Sequence, residues 1–365
     1  MKAHLPFFLT AICTAALLFT GAALAQEPSP SAVPLMKAIV YRNYGSPDVL
    51  RCEEIEKPIA GDDELLIRVR AASVNPYDWR LMRGKPLFLR LMIGGLRKPK
   101  ITRPGRDVAG QVEAVGRNVT QFKPGDEVFG VCHGAFAEYV CAMEDILALK
   151  PANISFEDAA AVPVAAITAL QGLRDKGRIQ RGHKVLVDGA SGGVGTFAVQ
   201  MAKSFGAEVT AVCSTRNVDT ARSIGADQVI DYTREDFTHS GQRYDLIMAA
   251  NAYHSIFDYR RALSQDGIYV MAGGGWAQIF QALLLGPLLS LIGNKKMCFL
   301  SAKIAKKDLV LLKDLLATGK IVPVIDRRYP LSDVAEAVRY LEEGHAKGKV
   351  VITVEHDNKT YYGEQ

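Results

Sequence analysis

Paired cysteines are missing from this chain. Its six cysteines, at positions 13, 52, 132, 141, 213 and 298, show no C-x-x-C spacing, and the first lies in an N-terminal apolar stretch. The other five suggest neither a disulfide framework nor a structural zinc lobe and read as small buried hydrophobes. Basic runs with interleaved aromatics are missing too, and the formal net charge is only +5, so composition argues against a nucleic-acid partner. The densest basic patch, Leu96 to Lys100, reads as a loop. No twin arginine and no lipobox around Cys13 accompany the N-terminus, which argues against the twin-arginine route and a lipid anchor.

What the N-terminus does have is the pattern of a secretory signal over residues 1–25. Lys2 supplies the charge, Phe7 to Leu18 the apolar core, and Ala23-Leu24-Ala25 the cleavage site. Residues 26–35, with three prolines, read as a linker. Secretion or export to a periplasm is the expectation. An uncleaved segment would anchor the chain to membrane, and translation from Met36 would leave it cytoplasmic. The full 365 residues, 48% hydrophobic and 23% charged, suit two domains with sizeable cores.

The organising stretch runs from Lys184 to Gly206. Lys184 to Asp188 reads as a short buried strand, and the apolar spacing after Gly195 as an amphipathic helix. Between them Ser191, Gly192, Gly193, Val194 and Gly195 form a turn where missing Cβ atoms let backbone amides and the helix N-terminus approach a pyrophosphate. In the G-x-G-x-x-G fingerprint of such turns, the first glycine is replaced by Ala190. A second strand, Glu208 to Cys213, follows, and 19 residues after Gly195 comes Ser214-Thr215-Arg216-Asn217. A dinucleotide fold reads the ribose there, with an acid for NAD or small polar residues and an Arg for NADP. No acid is present, so Ser214 and Arg216 favour NADPH; the bland alternative for Arg216 is a solvated charge at a strand end. Gly189-Ala-Ser191-Gly-Gly193 also matches G-x-S-x-G, the nucleophile elbow of hydrolases. A secreted serine hydrolase would need His345 and Asp326 as partners and lacks an HGGG-type oxyanion loop. A non-catalytic NADPH-binding protein would share every one of these features.

From Met36 onward, short alternating strands and glycine turns read as a β-barrel: KAIVYRNYG, VLRCEEIEKP, ELLIRVRAASV, GQVEAVG and DEVFGVC. VNPYDW, GRDVAGQVEAVG, FKPGDEVFG, GAFAEYV, AAAVPVAAITAL and GASGGVG occur in that order. This order resembles the medium-chain dehydrogenase/reductase superfamily, in its zinc-free, quinone-oxidoreductase-like (zeta-crystallin-like) branch, from Met36 to about Val354.

The resemblance implies an α/β fold: a Rossmann doubly wound parallel sheet inserted in a GroES-like β-barrel domain, with the active site in the cleft between them. The expected boundaries are 36–155 for the first part of the GroES-like domain, 156–306 for the NADPH-binding domain and 307–365 for the GroES-like completion and tail. Where zinc-dependent members carry a Cys ligand this chain has Asn75, and where they carry Gly-His-Glu it has Gly105-Arg106-Asp107. No metal is therefore expected. Without a Lewis acid, the implied chemistry is hydride addition to an already electron-poor quinone or α,β-unsaturated carbonyl.

By the same resemblance, Thr168 in a helix over 159–172 and Gly273 in the turn after a fifth strand belong near the nicotinamide, and Tyr232 beside the adenine-ribose phosphate. Thr168 has an alternative as a helix residue bonded to its own backbone. Asn75 and Tyr77 are the candidates for orienting the acceptor, although Asn-Pro also starts turns and Tyr77 also suits packing. His254, a lone loop histidine, is left out of the site. The nearly uncharged segment 277–293 is expected to wall the substrate pocket or form a subunit interface, a homodimer being the expected assembly, with membrane contact as the third use.

Overall fold

The first region is built mostly of antiparallel strand pairs, and the continuous apolar runs of the second form a parallel sheet. The computed structural model describes residues 33–87, 90–91 and 95–356. The expectations for residues 1–25, and for most of the linker, lie outside the described residues. In the barrel region, β1 (Leu35–Val40) and β2 (Arg51–Glu56) pair antiparallel. They are followed by β3 (Glu64–Val74), β4 (Asp107–Val115), β5 (Glu127–Val131), β6 (Tyr139–Met143) and β7 (Leu147–Leu149).

The parallel sheet follows: β8 (Lys184–Asp188), β9 (Glu208–Cys213), β10 (Gln228–Asp231), β11 (Tyr244–Ala249), β12 (Leu263–Met271) and β13 (Lys296–Phe299). Its order, β10-β9-β8-β11-β12-β13, reverses direction beside β8 and makes that strand's C-terminal end the place where a ligand crevice opens. The chain then returns through β14 (Ile325–Pro330) and β15 (Lys349–Thr353), completing the barrel sheet in the order β14-β15-β3-β4-β5-β7, with β6 also on β3.

One apolar core runs through both regions. Ala71, Ala109, Phe129 and Val351 from the barrel sheet pack in the same cluster as Ala165, Leu170, Val185 and Val187. From Leu35 onward the chain is therefore a single unit.

Three elements differ from expectation. The helix expected over 159–172 is two helices, Phe156–Ala160 and Pro163–Gln171, because Pro163 has no N–H to continue the first and suits the first turn of the second. Ser332, which by residue type and by its place just before an apolar-periodic run is expected as the N-cap of the last helix, does not cap it. Its Oγ bonds Asp333 at 2.8 Å in a 3₁₀ turn, and the helix begins at Val334.

The third is the apolar segment 277–293, which forms the helix Trp276–Leu289 with Pro287 inside it. A Cβ on Gly286 would lie 2.8 Å from the Met297 carbonyl oxygen, so glycine lets this helix close onto β13. Among the described residues, no helix is long and apolar enough to cross a membrane.

Candidate active site

A cleft of about 420 Å³ opens between the two regions at the end of β8, lined on one side by Gly189 and Ser191 to Gly195. The tight turn is made by Gly189, at φ +79°, rather than at Ala190. A Cβ on Gly195 would come within 2.1 Å of the Gly189 carbonyl oxygen, which fixes glycine there as the close-packing member of the turn. Gly192 faces open space, its nearest neighbour 3.6 Å from where a Cβ would stand, and it caps the helix Gly193–Ser204. The first amides of that helix and its positive dipole end thus border the cleft. Gly193 serves another purpose: a Cβ there would meet the Lys349 stem at 2.9 Å.

At one end of the cleft stand Ser214, Arg216, Asn217 and Tyr232. Arg216 is exposed and reaches across to donate from Nη2 to the His345 carbonyl oxygen at 3.1 Å. Asn217 donates to Ser214 Oγ at 3.1 Å, while its buried Oδ1 has no partner. Glu342 is the sole carboxylate of the lining, and Arg83 already holds it through two bonds of 2.7 Å. This end of the cleft thus presents an open arginine, small polar side chains and no free acid.

At the other end, Asn75 and Lys349 line the cleft over a buried polar cluster. Asp107 Oδ2 accepts from Ser73 Oγ at 2.7 Å, Asn75 Nδ2 at 2.9 Å and Lys349 Nζ at 3.2 Å, and Oδ1 accepts from the Val164 amide at 2.9 Å. Lys349 also donates to Asn75 Oδ1 at 2.8 Å, and the second Asn75 amide hydrogen goes to the Ser73 carbonyl at 3.3 Å. Both donors of Asn75 are spent, so it ties β3, β4 and β15 together instead of offering a hydrogen to an acceptor. Lys349 and Asp107 went unnoticed in the sequence as a pair.

Tyr77 is placed outside the cleft. Its ring lies 5.1 Å from the Arg106 guanidinium, in a small hollow with Tyr41, Arg103 and His133. Thr168 is also absent from the lining: its Oγ1 donates to the Val164 carbonyl at 2.7 Å, one helical turn back. In the glycine turn after β12 the lining takes Gly274 and Gly275 rather than Gly273, whose Cβ position is blocked by the Ala250 carbonyl at 2.4 Å. The lining stops at Gly275, so the segment 277–293 does not wall this cleft. Ser191, His345 and Asp326 share no hydrogen bond, and Asp326 is engaged by Tyr340 Oη at 2.7 Å and the Lys347 amide at 2.8 Å.

Arg80 emerges from the structure alone. It lies on the helix Pro76–Arg83, lines the cleft, and donates from Nη2 to the Gly274 carbonyl at 3.0 Å. Its guanidinium stands 5.3 Å from the Trp79 ring and 5.6 Å from the Trp276 ring. Its Nε is buried without a partner.

Two buried acids flank the site. Asp188, at the end of β8, accepts from Tyr259 Oη, and burial pushes its pKa up to about 7. Asp78 accepts from the Asn75 amide at 2.8 Å and the Gly105 amide at 3.1 Å, and burial again raises its pKa to about 7. Both lie away from the cleft lining, as does half-buried His254, which packs edge-on against Phe237 and whose pKa burial lowers.

A doubly wound sheet with a glycine turn, set against a GroES-like barrel across such a cleft, defines the dinucleotide-dependent oxidoreductase class. Family comparison agrees. The alcohol dehydrogenase GroES-like domain matches residues 61–152, and the zinc-binding dehydrogenase family matches residues 224–352. The 2-methylene-furan-3-one reductase of Solanum lycopersicum is 37% identical, over 91% of this chain and 82% of its own length. The chloroplastic NADPH-dependent alkenal/one oxidoreductase of Arabidopsis thaliana is 36% identical, over 87% of this chain and 79% of its own. Among solved structures, the quinone oxidoreductase from Coxiella burnetii superposes with a TM-score of 0.77 at 29% identity, covering 88% of this chain and 100% of that one. The chain belongs to the medium-chain dehydrogenase/reductase superfamily, in its quinone-oxidoreductase-like branch, and is an NAD(P)H-dependent oxidoreductase.

Proposed function

We propose that this protein uses NADPH to reduce a small, apolar, electron-poor acceptor, a quinone or an α,β-unsaturated carbonyl, without a catalytic metal. The observation that carries the cofactor choice is the end of the cleft where Ser214, Arg216, Asn217 and Tyr232 stand, while the one carboxylate of the whole lining is already paired to Arg83. The acceptor class is supported by the alkenal/one and furanone reductases that resemble the chain. Among the described residues no three His, Cys, Asp or Glu side chains gather as a metal site requires, and Arg106 stands where zinc-dependent members carry histidine.

When bound, NADPH supplies the hydride. The chain's own part is to bind and orient. Gly192 and the amides opening the helix Gly193–Ser204 receive the pyrophosphate, and Arg216 with Ser214 and Tyr232 receives the 2′-phosphate. The Arg80 guanidinium, at the cleft wall, receives the acceptor's oxygen as negative charge develops on it, and water delivers the proton to the reduced product.

The test is a titration of the full chain with NADPH and NADH, read by cofactor fluorescence and by quenching of Trp79 and Trp276. NADPH binds saturably and more tightly than NADH, and Arg216→Ala weakens NADPH about 10- to 100-fold, the worth of a charge-assisted hydrogen bond, with NADH unchanged. Equal affinity for the two cofactors would overturn the assignment. Arg80→Met lowers kcat/KM for an enone by about 100-fold while NADPH affinity holds; unaltered turnover removes Arg80 from the reaction.

A further inference from the structure

The helix Trp276–Leu289 and the turn after it carry an apolar face that neither core nor cleft uses. Ala282 and Gly286 face inward, while Leu283, Leu284, Leu288, Leu291 and Ile292 are 47%, 67%, 59%, 82% and 63% exposed. Five large aliphatic side chains within ten positions make a contiguous patch rather than the scattered exposure of an ordinary surface.

Its rim is basic. The Arg260 guanidinium donates to the Ile292 carbonyl, Lys295 Nζ to the Arg260 carbonyl at 2.9 Å, and Lys296 Nζ to the Ser290 carbonyl at 3.2 Å. None of these three cations has a carboxylate partner among the described residues. Asp258 is paired instead with Arg261 at 2.7 Å, and Asp266 accepts from the Asn294 amide at 2.8 Å. Burial lowers the Lys295 pKa, and Arg260 and Arg243 press it the same way, so the cations are close enough to repel one another.

That charge selects the occupant. A second copy on a twofold axis would set basic rim against basic rim. An anionic headgroup layer would pair with the rim while the leucines enter the acyl boundary. At 14 residues the helix is too short to span a bilayer, for which about 20 are needed, so it would lie on the surface.

We propose that Leu284, Leu288, Leu291 and Ile292, rimmed by Arg260, Lys295 and Lys296, seat this protein on an anionic lipid surface. The helix starts at the Gly274–Gly275 edge of the cleft, so one element carries both that edge and, at its other end, the patch. Resting on the reductase reading above, the acceptor is then a quinone or enone dissolved in the membrane.

The test is co-sedimentation of the full chain with vesicles of phosphatidylcholine alone or mixed with phosphatidylglycerol. It compares wild type with Leu284→Gln/Leu288→Gln and with Lys295→Glu/Lys296→Glu. All three keep the N-terminal apolar stretch, so a difference between them belongs to the patch. Thermal melting and NADPH titration show that the variants are folded. The expected result is preference for the anionic vesicles, weakening as salt rises, and at least about tenfold weaker binding for each variant.

Equal binding by wild type and variants, or no preference for phosphatidylglycerol, overturns the proposal. So does a wild type that ignores vesicles but runs as a dimer that the same substitutions split, which would make a second copy the occupant. Loss of NADPH binding with vesicle binding intact would count against the reductase reading alone.

Discussion

The two ends of one cleft are built on opposite plans. At the barrel end the cluster around Asp107 is buried and spent: Asp107 accepts four hydrogen bonds, and Lys349 and Asn75 complete one another. At the ribose end Arg216 is exposed, Tyr232 is half-exposed, and Asn217 Oδ1 is orphaned. A satisfied cluster positions its neighbours, whereas an unsatisfied one awaits a ligand. The sharpest way to break this contrast is Lys349→Met. It leaves Asp107 a buried charge without its cation, at a cost of about 3–5 kcal/mol. Denaturant unfolding should show that loss, and an unchanged midpoint would mean that the cluster holds nothing together.

A second buried acid refines the rule. Asp188 is as enclosed as Asp107, yet its side-chain partner is the neutral Tyr259 rather than a cation, and burial raises its pKa to about 7. A folded-state pKa above the unfolded value means that stability is fully present below about pH 4 and is lost as pH rises through about 7. Asp188→Asn keeps an oxygen for the turn and an amide that the Tyr259 hydroxyl accepts, so it should flatten this part of the stability profile. A wild-type profile already flat between those limits would show that the carboxyl is not held neutral.

Smaller still is Gly195→Ala, whose methyl would press on the Gly189 carbonyl. Overpacking of this kind costs about 1–3 kcal/mol, and the turn that shifts to relieve it is the one facing the cleft. NADPH affinity should therefore fall with stability, unlike in a variant at the barrel end, where stability falls first. Melting curves with and without cofactor would separate the two.

Much of this was legible because it is local. The strand, turn and helix of Lys184–Ser204 follow from periodicity and glycine placement within some twenty residues, and β8 and β9 fall where they were expected. The positive φ of the turn falls on Gly189, one residue before the Ala190 that replaces the fingerprint's first glycine. Asn75 and Tyr77 are near neighbours on one motif, but the helix that starts at Pro76 sends Tyr77 to the far side, against Arg106. Lys349 and Asp107 are 242 positions apart and meet only because β15 joins β3 beside β4. Arg80 gains its place from Gly274 on the other sheet. Pairings of this kind leave no periodic trace, so no window of sequence could have found them. The apolarity of 277–293 was plain, but which of its side chains stay outside depends on Gly286 closing onto β13.

The smallest expected effect tests the contrast from its other side. Arg216 is exposed, and its one bond to the protein is to the His345 carbonyl, so Arg216→Ala should change unfolding free energy by no more than about 0.5 kcal/mol. Its cost should appear only when a phosphorylated ribose is there to be held. If NADPH raises the melting temperature of wild type but barely that of the variant, while the two apo-proteins melt together, the arginine belongs to the ligand. A variant already destabilised without cofactor would make the bond to His345 a strap between the two regions, and the open end of the cleft would then be as structural as the closed one.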